Sequence, residues 1–284
     1  MKKIVVAVDF SAHTTKITEF ALNLAMLNKA EILLFHTVIK HFYFSSPSIP
    51  EAFEFNPLTE SGDNSESINS ASEKLNALKE SLIEQSESKI KVITKITEGD
   101  FEEDLEEFCS DYFPSVIIVG SRGIDESSYL FGNRAIGIFN KSKFPVIAAP
   151  AINLNSCIKN ILYIADLEIS NNVLIRKTYN QFDECDPKIF CAHLAEDSNY
   201  LKAYSSKEYL NSEYSTEVAI NKFQCDVLEG DDKHEEIDNY IKKNNIDIIV
   251  FMPHKTNFFQ RLIGKNKSKN YLFETKLPIL AMRM

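Results

Sequence analysis

The chain has 284 residues, enough for two domains of about 140 each rather than one. Hydrophobic residues make up 44% and charged residues 25%, the balance of an ordinary globular protein that buries its core without help from disulfides or metal. The net charge of −10 argues against partners bound by clustered cations, namely nucleic acid and anionic membrane, and no apolar run reaches the roughly 18 residues of a membrane span.

The opening MKKIVVAVDFSAH reads as a first strand and not as a signal peptide. Its apolar run stops at Asp9, and no small-residue cleavage site follows. Ile17, Phe20, Ala21, Leu24 and Ala25 then recur at helical spacing, with Ser11 expected as the N-cap. EILLFHTV (31–38) is a second apolar strand. Residues 41–75 carry three prolines and a polar Ser/Asn/Glu stretch, which predicts a long surface excursion before the second helix. Its Phe42, Tyr43, Phe44, Phe53 and Phe55 are expected to pack on the edge of their own domain. A Glu-Gly-Asp turn from Glu98 leads into a helix, SVIIVG (115–120) is a buried strand, and KFPVIAAP (143–150) is the last strand of this half.

Between those two strands lies VGSRGIDESSYLFGNRA (119–135). It holds Gly120, Gly123 and Gly132, three of only eight glycines in the chain. A loop that leaves a strand and enters a helix offers free backbone N–H groups and the positive end of the helix dipole. Glycine lets such a backbone approach phosphate oxygens closely. Arg122 and Arg134 are placed to add charge-assisted hydrogen bonds, and Asn133 to cap the helix or donate to a phosphate. The loop follows the fourth strand, so it is not the first-strand loop of a dinucleotide fold, and it lacks the Gly-Lys-Ser/Thr of a P-loop.

The pattern then recurs. ILYIADLE (161–168) matches IVVAVDFS (4–11), aligning Asp166 with Asp9. PKIFCAHLA (187–195) matches EILLFHTV, aligning His193 with His36. A second Glu-Gly-Asp turn begins at Glu229, DIIVFM (247–252) matches SVIIVG, and KLPILAMR (276–283) matches KFPVIAAP. Five elements agreeing in order read as a tandem duplication, with domains at 1–151 and 152–284. Each half alternates short Ile/Val-rich strands with helices. The expected fold class is therefore α/β: two tandem doubly wound domains, each a five-stranded, mostly parallel sheet with helices on both faces. Ligands of such sheets bind beyond the carboxyl ends of the strands, where the strand order reverses. In the second half Met252 and Lys255 replace the first two glycines, Pro253 removes a backbone donor, and Gly264 alone remains. His254, Lys255, Arg261, Lys265, Lys267 and Lys269 make that loop basic, which reads as a solvated face.

Other chemistry has less support. His234 among Asp231, Asp232, Glu235 and Glu236 reads as a charged helix start and not as a metal site. His36 and His193 sit at equivalent positions, which predicts a structural role in the fold, with either able to titrate near neutrality. Cys109, Cys157, Cys185, Cys191 and Cys225 are odd in number and form no C-x-x-C pair. They are expected as scattered buried thiols of a cytoplasmic protein.

KIVVAVDFS, the Glu-Gly-Asp turn, VIIVGSRG, FGN and FPVIAAP carry a resemblance to the universal stress proteins, in their tandem two-domain form, over essentially the whole chain. Nucleotide-binding members of that family carry G-x2-G-x9-G-(S/T) after the fourth strand. The resemblance implies ATP, with or without magnesium, in the first domain and none in the second. It implies Asp9 and Val38 at the adenosine, and Gly120, Gly123, Gly132 and Asn133 at the phosphates. Two departures stand out: eight residues (124–131) separate the last two glycines, one fewer than in the family, and Asn133 replaces Ser or Thr. The resemblance further implies pairing of the two domains within the chain, as in family dimers, and a route to a homodimer. Two functions from different classes stay open, a nucleotide-binding stress or signalling module and an interaction scaffold that has lost nucleotide binding. No general base is evident, so ATP hydrolysis would be slow if present.

Overall fold

Strands that are apolar at every position need cover on both faces. The computed structural model supplies it, and describes residues 2–39, 64–120, 133–150, 157–165, 171–195, 200–230, 232–253 and 276–283. In the first half the elements are β1 (Lys3–Ala7), α1 (Thr14–Asn28), β2 (Glu31–Ile39), α2 (Asn64–Gln85), β3 (Val92–Gly99), α3 (Phe101–Tyr112), β4 (Val116–Gly120), α4 (Asn133–Lys141) and β5 (Val146–Ala149). The second half follows with β6 (Asn160–Ile164), α5 (Asn171–Gln181), β7 (Lys188–Leu194), α6 (Tyr200–Glu213), α7 (Ser215–Ala219), β8 (Phe223–Leu228), α8 (Lys233–Asn244), β9 (Ile248–Phe251) and β10 (Ile279–Ala281).

The strands form one sheet in the order β3-β2-β1-β4-β5-β10-β9-β6-β7-β8. Within each half every pairing is parallel, as in two doubly wound units. The registers correspond. Val5 faces Leu33 and Ile117, and Leu162 faces Phe190 and Ile249. The Val8 N–H donates to the Phe35 carbonyl at 2.8 Å, and the Ala165 N–H donates to the Ala192 carbonyl at 2.9 Å. The halves meet at β5 and β10, which run antiparallel with Ile147 opposite Leu280.

Alternate strand residues feed two cores. Ile4, Val6, Ile32 and Leu34 pack with α1 and α2, in a layer that continues under α5 and α6 through Leu174, Ile175 and Leu210. Val5, Leu33 and Phe35 pack on the other side with Leu105 of α3 and Phe139 of α4, continuing to Ile237 and Tyr240 of α8. Across the junction Phe139 meets Phe251 edge to face, with ring centroids 5.9 Å apart. Arg283 adds a polar tie there, donating from Nη1 to the Pro253 carbonyl at 3.1 Å and from Nη2 to the Phe139 carbonyl of α4.

Several sequence expectations need correction. Helix α1 starts at Thr14 with His13 as its N-cap, so Ser11 is not the cap. The predicted excursion of residues 41–75 is helical from Asn64 onward, because Ala71, Leu75 and Leu82 supply an apolar stripe that buries against the sheet. Its residues 41–63 lie outside the described ones. Of the five cysteines, Cys109, Cys191 and Cys225 are free and buried, but Cys157 and Cys185 form a disulfide between the approach to β6 and the turn after α5. That pairing joins residues 28 apart in sequence, a proximity that spacing alone does not reveal.

The Glu-Gly-Asp turn behaves as a helix start. The Asp100 carboxylate accepts from the N–H groups of Glu102 and Glu103 at 3.0 and 3.1 Å. In the second half Asp232 accepts the Glu235 N–H at 3.3 Å, and Asp231 lies outside the described residues. Gly99 and Gly230 leave room for the helix to fold back: an added Cβ would stand 3.0 Å from the Asp104 carboxylate in one case and 2.6 Å from Glu236 Cγ in the other.

At the amino ends of the strands Glu31 is buried, yet it accepts from the Tyr112 hydroxyl at 2.5 Å and from Lys91 at 3.0 Å. The Tyr112 hydrogen bond holds its carboxyl below the usual range, with Lys91 assisting and burial opposing. A depressed folded value stabilises the protein above the unfolded Glu value near about 4.3, and that stability is lost as pH falls through the folded value. Glu31→Gln is therefore expected to lower stability by about 1.5 kcal/mol at neutral pH. In urea titrations the gap to wild type should close toward about pH 3; an undiminished gap there would assign the loss to packing instead of charge. Arg283→Met is expected to cost about 1–3 kcal/mol in the same assay, because two carbonyls at the junction lose their donor. An unchanged urea midpoint would show that water replaces the guanidinium.

Candidate functional site

The strand order reverses between β1 and β4, which lie side by side with Val6 opposite Ile118. Their carboxyl ends deliver Asp9 and Gly120 to the same edge of the sheet, and β2 on the other side of β1 brings Val38. Asp9 is half-buried and held. Its Oδ1 accepts from the Ser11 N–H at 3.0 Å and from the Thr14 hydroxyl at 3.2 Å, so the carboxylate closes the turn into α1. The turn is tight enough to put Phe10 in the left-handed region, at φ 55°.

Around Asp9 the wall is aromatic. The Phe10 ring lies against His36 with centroids 4.5 Å apart, and the His36 Nδ1–H donates to the Val8 carbonyl at 2.7 Å. Lys74 of α2 reaches over Phe10, its Nζ 5.4 Å from the ring centre. Val38 is almost fully buried, and the strand carries on to Ile39, one residue past the expected end. Gly120 is partly exposed and pairs with Ala149 of β5.

Helix α4 begins at Asn133, where the sequence locates the end of the glycine loop, and its first turn holds no acidic residue. Helix α3, by contrast, opens with Glu102, Glu103 and Asp104. That first turn of α4 therefore carries no acidic side chain of its own against the positive end of the helix dipole. Arg122, Gly123 and Gly132 lie outside the described residues, as do the side chains of Asn133 and Arg134. The structure therefore brings Asp9, Val38, Gly120 and the start of α4 to one edge. Sequence reading missed Phe10 and Lys74. Lys74 was hidden because its stretch reads as part of an irregular excursion, although the spacing of Ala71, Leu75 and Leu82 carries a helical signal.

At the corresponding place in the second half, β9 ends at Phe251 and the chain enters Met252 and a buried Pro253. Pro253 has no N–H to offer, and its carbonyl is taken by Arg283. Asp166, His254, Lys255, Arg261, Gly264, Lys265, Lys267 and Lys269 lie outside the described residues, as does the side chain of His234.

Comparison with known proteins agrees with this architecture. The model of the universal stress protein family matches residues 1–150, more than half of the chain. The chain belongs to the universal stress protein family. Among solved structures it is similar to a universal stress protein from Archaeoglobus fulgidus DSM 4304, at 17% identity over 99% of this chain and 98% of that one, with a TM-score of 0.69. It is also similar to a functionally unknown protein from Pseudomonas aeruginosa PAO1, at 12% identity over 100% and 92%, with a TM-score of 0.60. A universal stress protein from Archaeoglobus fulgidus in complex with dAMP matches 51% of this chain and 95% of its own, at 21% identity and a TM-score of 0.36. No curated protein matches. Among the described residues of this universal stress protein, no helix is long and apolar enough to cross a membrane.

One variant tests how Asp9 is held. Asp9→Ala removes the acceptor for the Ser11 N–H and the Thr14 hydroxyl and is expected to lower stability by about 1–2 kcal/mol, whereas Asp9→Asn retains an oxygen and loses less. Equal urea midpoints for Ala and Asn would show that the turn does not depend on the side chain.

Proposed function

We propose that this universal stress protein binds an adenine nucleotide, ATP with magnesium, in its first domain (1–151), and that the second domain (152–284) is a duplicated partner without that capacity. The observation that carries the reading is the convergence of Asp9 and Gly120 at the carboxyl ends of β1 and β4, where a doubly wound sheet takes its ligand. Asp9, already held by the turn into α1, retains acceptor capacity for a ribose hydroxyl. Val38 and the Phe10–His36 wall offer apolar and aromatic surface to the base. Gly120, Gly123 and Gly132 supply backbone donors to the phosphates. Arg122, Arg134, Asn133 and the start of α4 add charge and hydrogen bonds, and Lys74 brings a further ammonium close to this edge. The role is binding and signalling in the cytoplasm, with hydrolysis slow at most. The matched registers of the two halves support a tandem duplication, and their junction at β5 and β10 supports pairing within one chain. A homodimer would repeat such pairing between chains.

A second reading has its own observation. Leu201 and Ile220 are 81% and 63% exposed, with Tyr209 and Val218 also exposed along α6 and α7. Exposed apolar side chains of this kind suit an interaction scaffold that no longer binds nucleotide. Isothermal titration of ATP with magnesium into nucleotide-free protein separates the two. One site per chain at micromolar affinity, weakened at least about tenfold by Gly123→Val, supports the nucleotide reading. No heat and no nucleotide retained on purification would overturn it in favour of the scaffold.

A further inference from the structure

The second half contains a cluster that the nucleotide site does not use. Cys191 and His193 are two residues apart on β7 and so project from the same face of the sheet, while Cys225 of β8 lies directly opposite Cys191. All three are buried, at 0%, 1% and 2% exposure. One ligand atom from each lies within 4.8 Å of the other two. Sulfur and nitrogen donors around a tetrahedral zinc stand about 3.5–3.8 Å apart, so a shift of about an ångström closes these three on an ion.

The first half provides an internal comparison. The same register positions there hold Leu34, His36 and Thr94, so the histidine recurs and the cysteines do not. The His36 Nδ1 is satisfied by the Val8 carbonyl. Among the described residues the His193 Nδ1 is buried without a hydrogen-bond partner, while Nε2 pairs with the Ser206 hydroxyl of α6 at 3.1 Å. That contact on the far nitrogen orients the ring and fits a tautomer with its lone pair on Nδ1, as a metal-bound imidazole requires. Bound to a metal, both cysteines act as thiolates. Two thiolates carry a charge that a divalent cation cancels and a monovalent one leaves half-balanced, which matters in a core lined by Leu210, Tyr214 and Phe223.

We propose that Cys191, His193 and Cys225 form a buried binding site for a thiophilic divalent metal ion, with Zn2+ as its occupant, tying β7 to β8 under α6. Zinc with three protein ligands keeps a fourth position for water or a small anion. Because the site is closed to solvent, the ion enters during folding, and its binding energy adds to folding stability.

The test uses the full-length chain, refolded with Zn2+, desalted and analysed for metal by atomic emission, and refolded in parallel with Co2+ for absorption spectroscopy. The expected result is one zinc per chain and the sulfur-to-cobalt charge-transfer band of a tetrahedral thiolate site. Cys191→Ser and Cys225→Ser should each weaken metal binding by at least about tenfold. Cys109→Ser and the Cys157→Ser/Cys185→Ser pair should retain it. The wild-type cobalt spectrum reads the ligands even if a serine variant fails to fold. Wild-type protein that refolds without metal and shows no cobalt–thiolate band would overturn the proposal. So would metal that survives loss of both Cys191 and Cys225, or copper(I) held at these residues with zinc excluded.

Discussion

The antiparallel meeting of β5 and β10 is the constraint on which the rest of the molecule depends. Each doubly wound half ends in a short strand whose outer N–H and C=O groups need partners. Pairing Ile147 with Leu280 satisfies them and turns two five-stranded sheets into one of ten. The cores then continue across the junction, with Val146 and Ala148 of β5 sharing a layer with Ile279 and Ala281 of β10. Phe139 on Phe251 and Arg283 on two carbonyls complete the seam above the strands. The same seam reaches the candidate site indirectly, because Phe139 belongs to α4 and Gly120 pairs with Ala149 of β5.

Within this common frame the halves have taken different chemistry at equivalent points. After β4 the first half has a glycine and a helix start free of acidic residues. After β9 the second has Met252 and a proline whose carbonyl is locked by Arg283. Beneath the helix that follows the second strand the contrast is reversed. A core Leu34 faces a half-buried Thr94 in the first half, where the buried Cys191 and Cys225 face each other in the second. The recurring histidine is used both ways: His36 ties β2 to the Val8 carbonyl beside Asp9, and His193 turns toward Ser206. Backbone register is held by the sheet, so side chains at matched positions are free to diverge without disturbing the fold.

Much of the architecture was legible in residue patterns. Continuous Ile/Val runs announced strands covered on both faces, and the matched motifs aligned β1 with β6, β2 with β7 and β4 with β9 in the registers that the sheet displays. The positions of Asp9 and Gly120 were legible because Asp9 follows β1 and Gly120 closes β4, at the edge where the strand order reverses. The start of α1 was misread, since Ser11 is a good cap by type while the helix begins three residues later, after the turn closed by Asp9. Lys74 was missed because prolines upstream mask a helix whose apolar stripe is narrow.

By itself, then, the sequence determined the local and periodic features: where most strands and helices lie, that similar motifs recur in order, and that one strand-to-helix loop is rich in glycine. These follow from neighbouring residues through side-chain spacing and backbone freedom. Tertiary structure alone decided what lies across from what. Cys157 meets Cys185 over 28 residues, Cys191 meets Cys225 through a parallel register, and Arg283 reaches a helix in the other half. Those contacts depend on strand order and crossover paths. Hydrophobic pattern specifies which face of an element is buried, but not which distant side chain will share that burial.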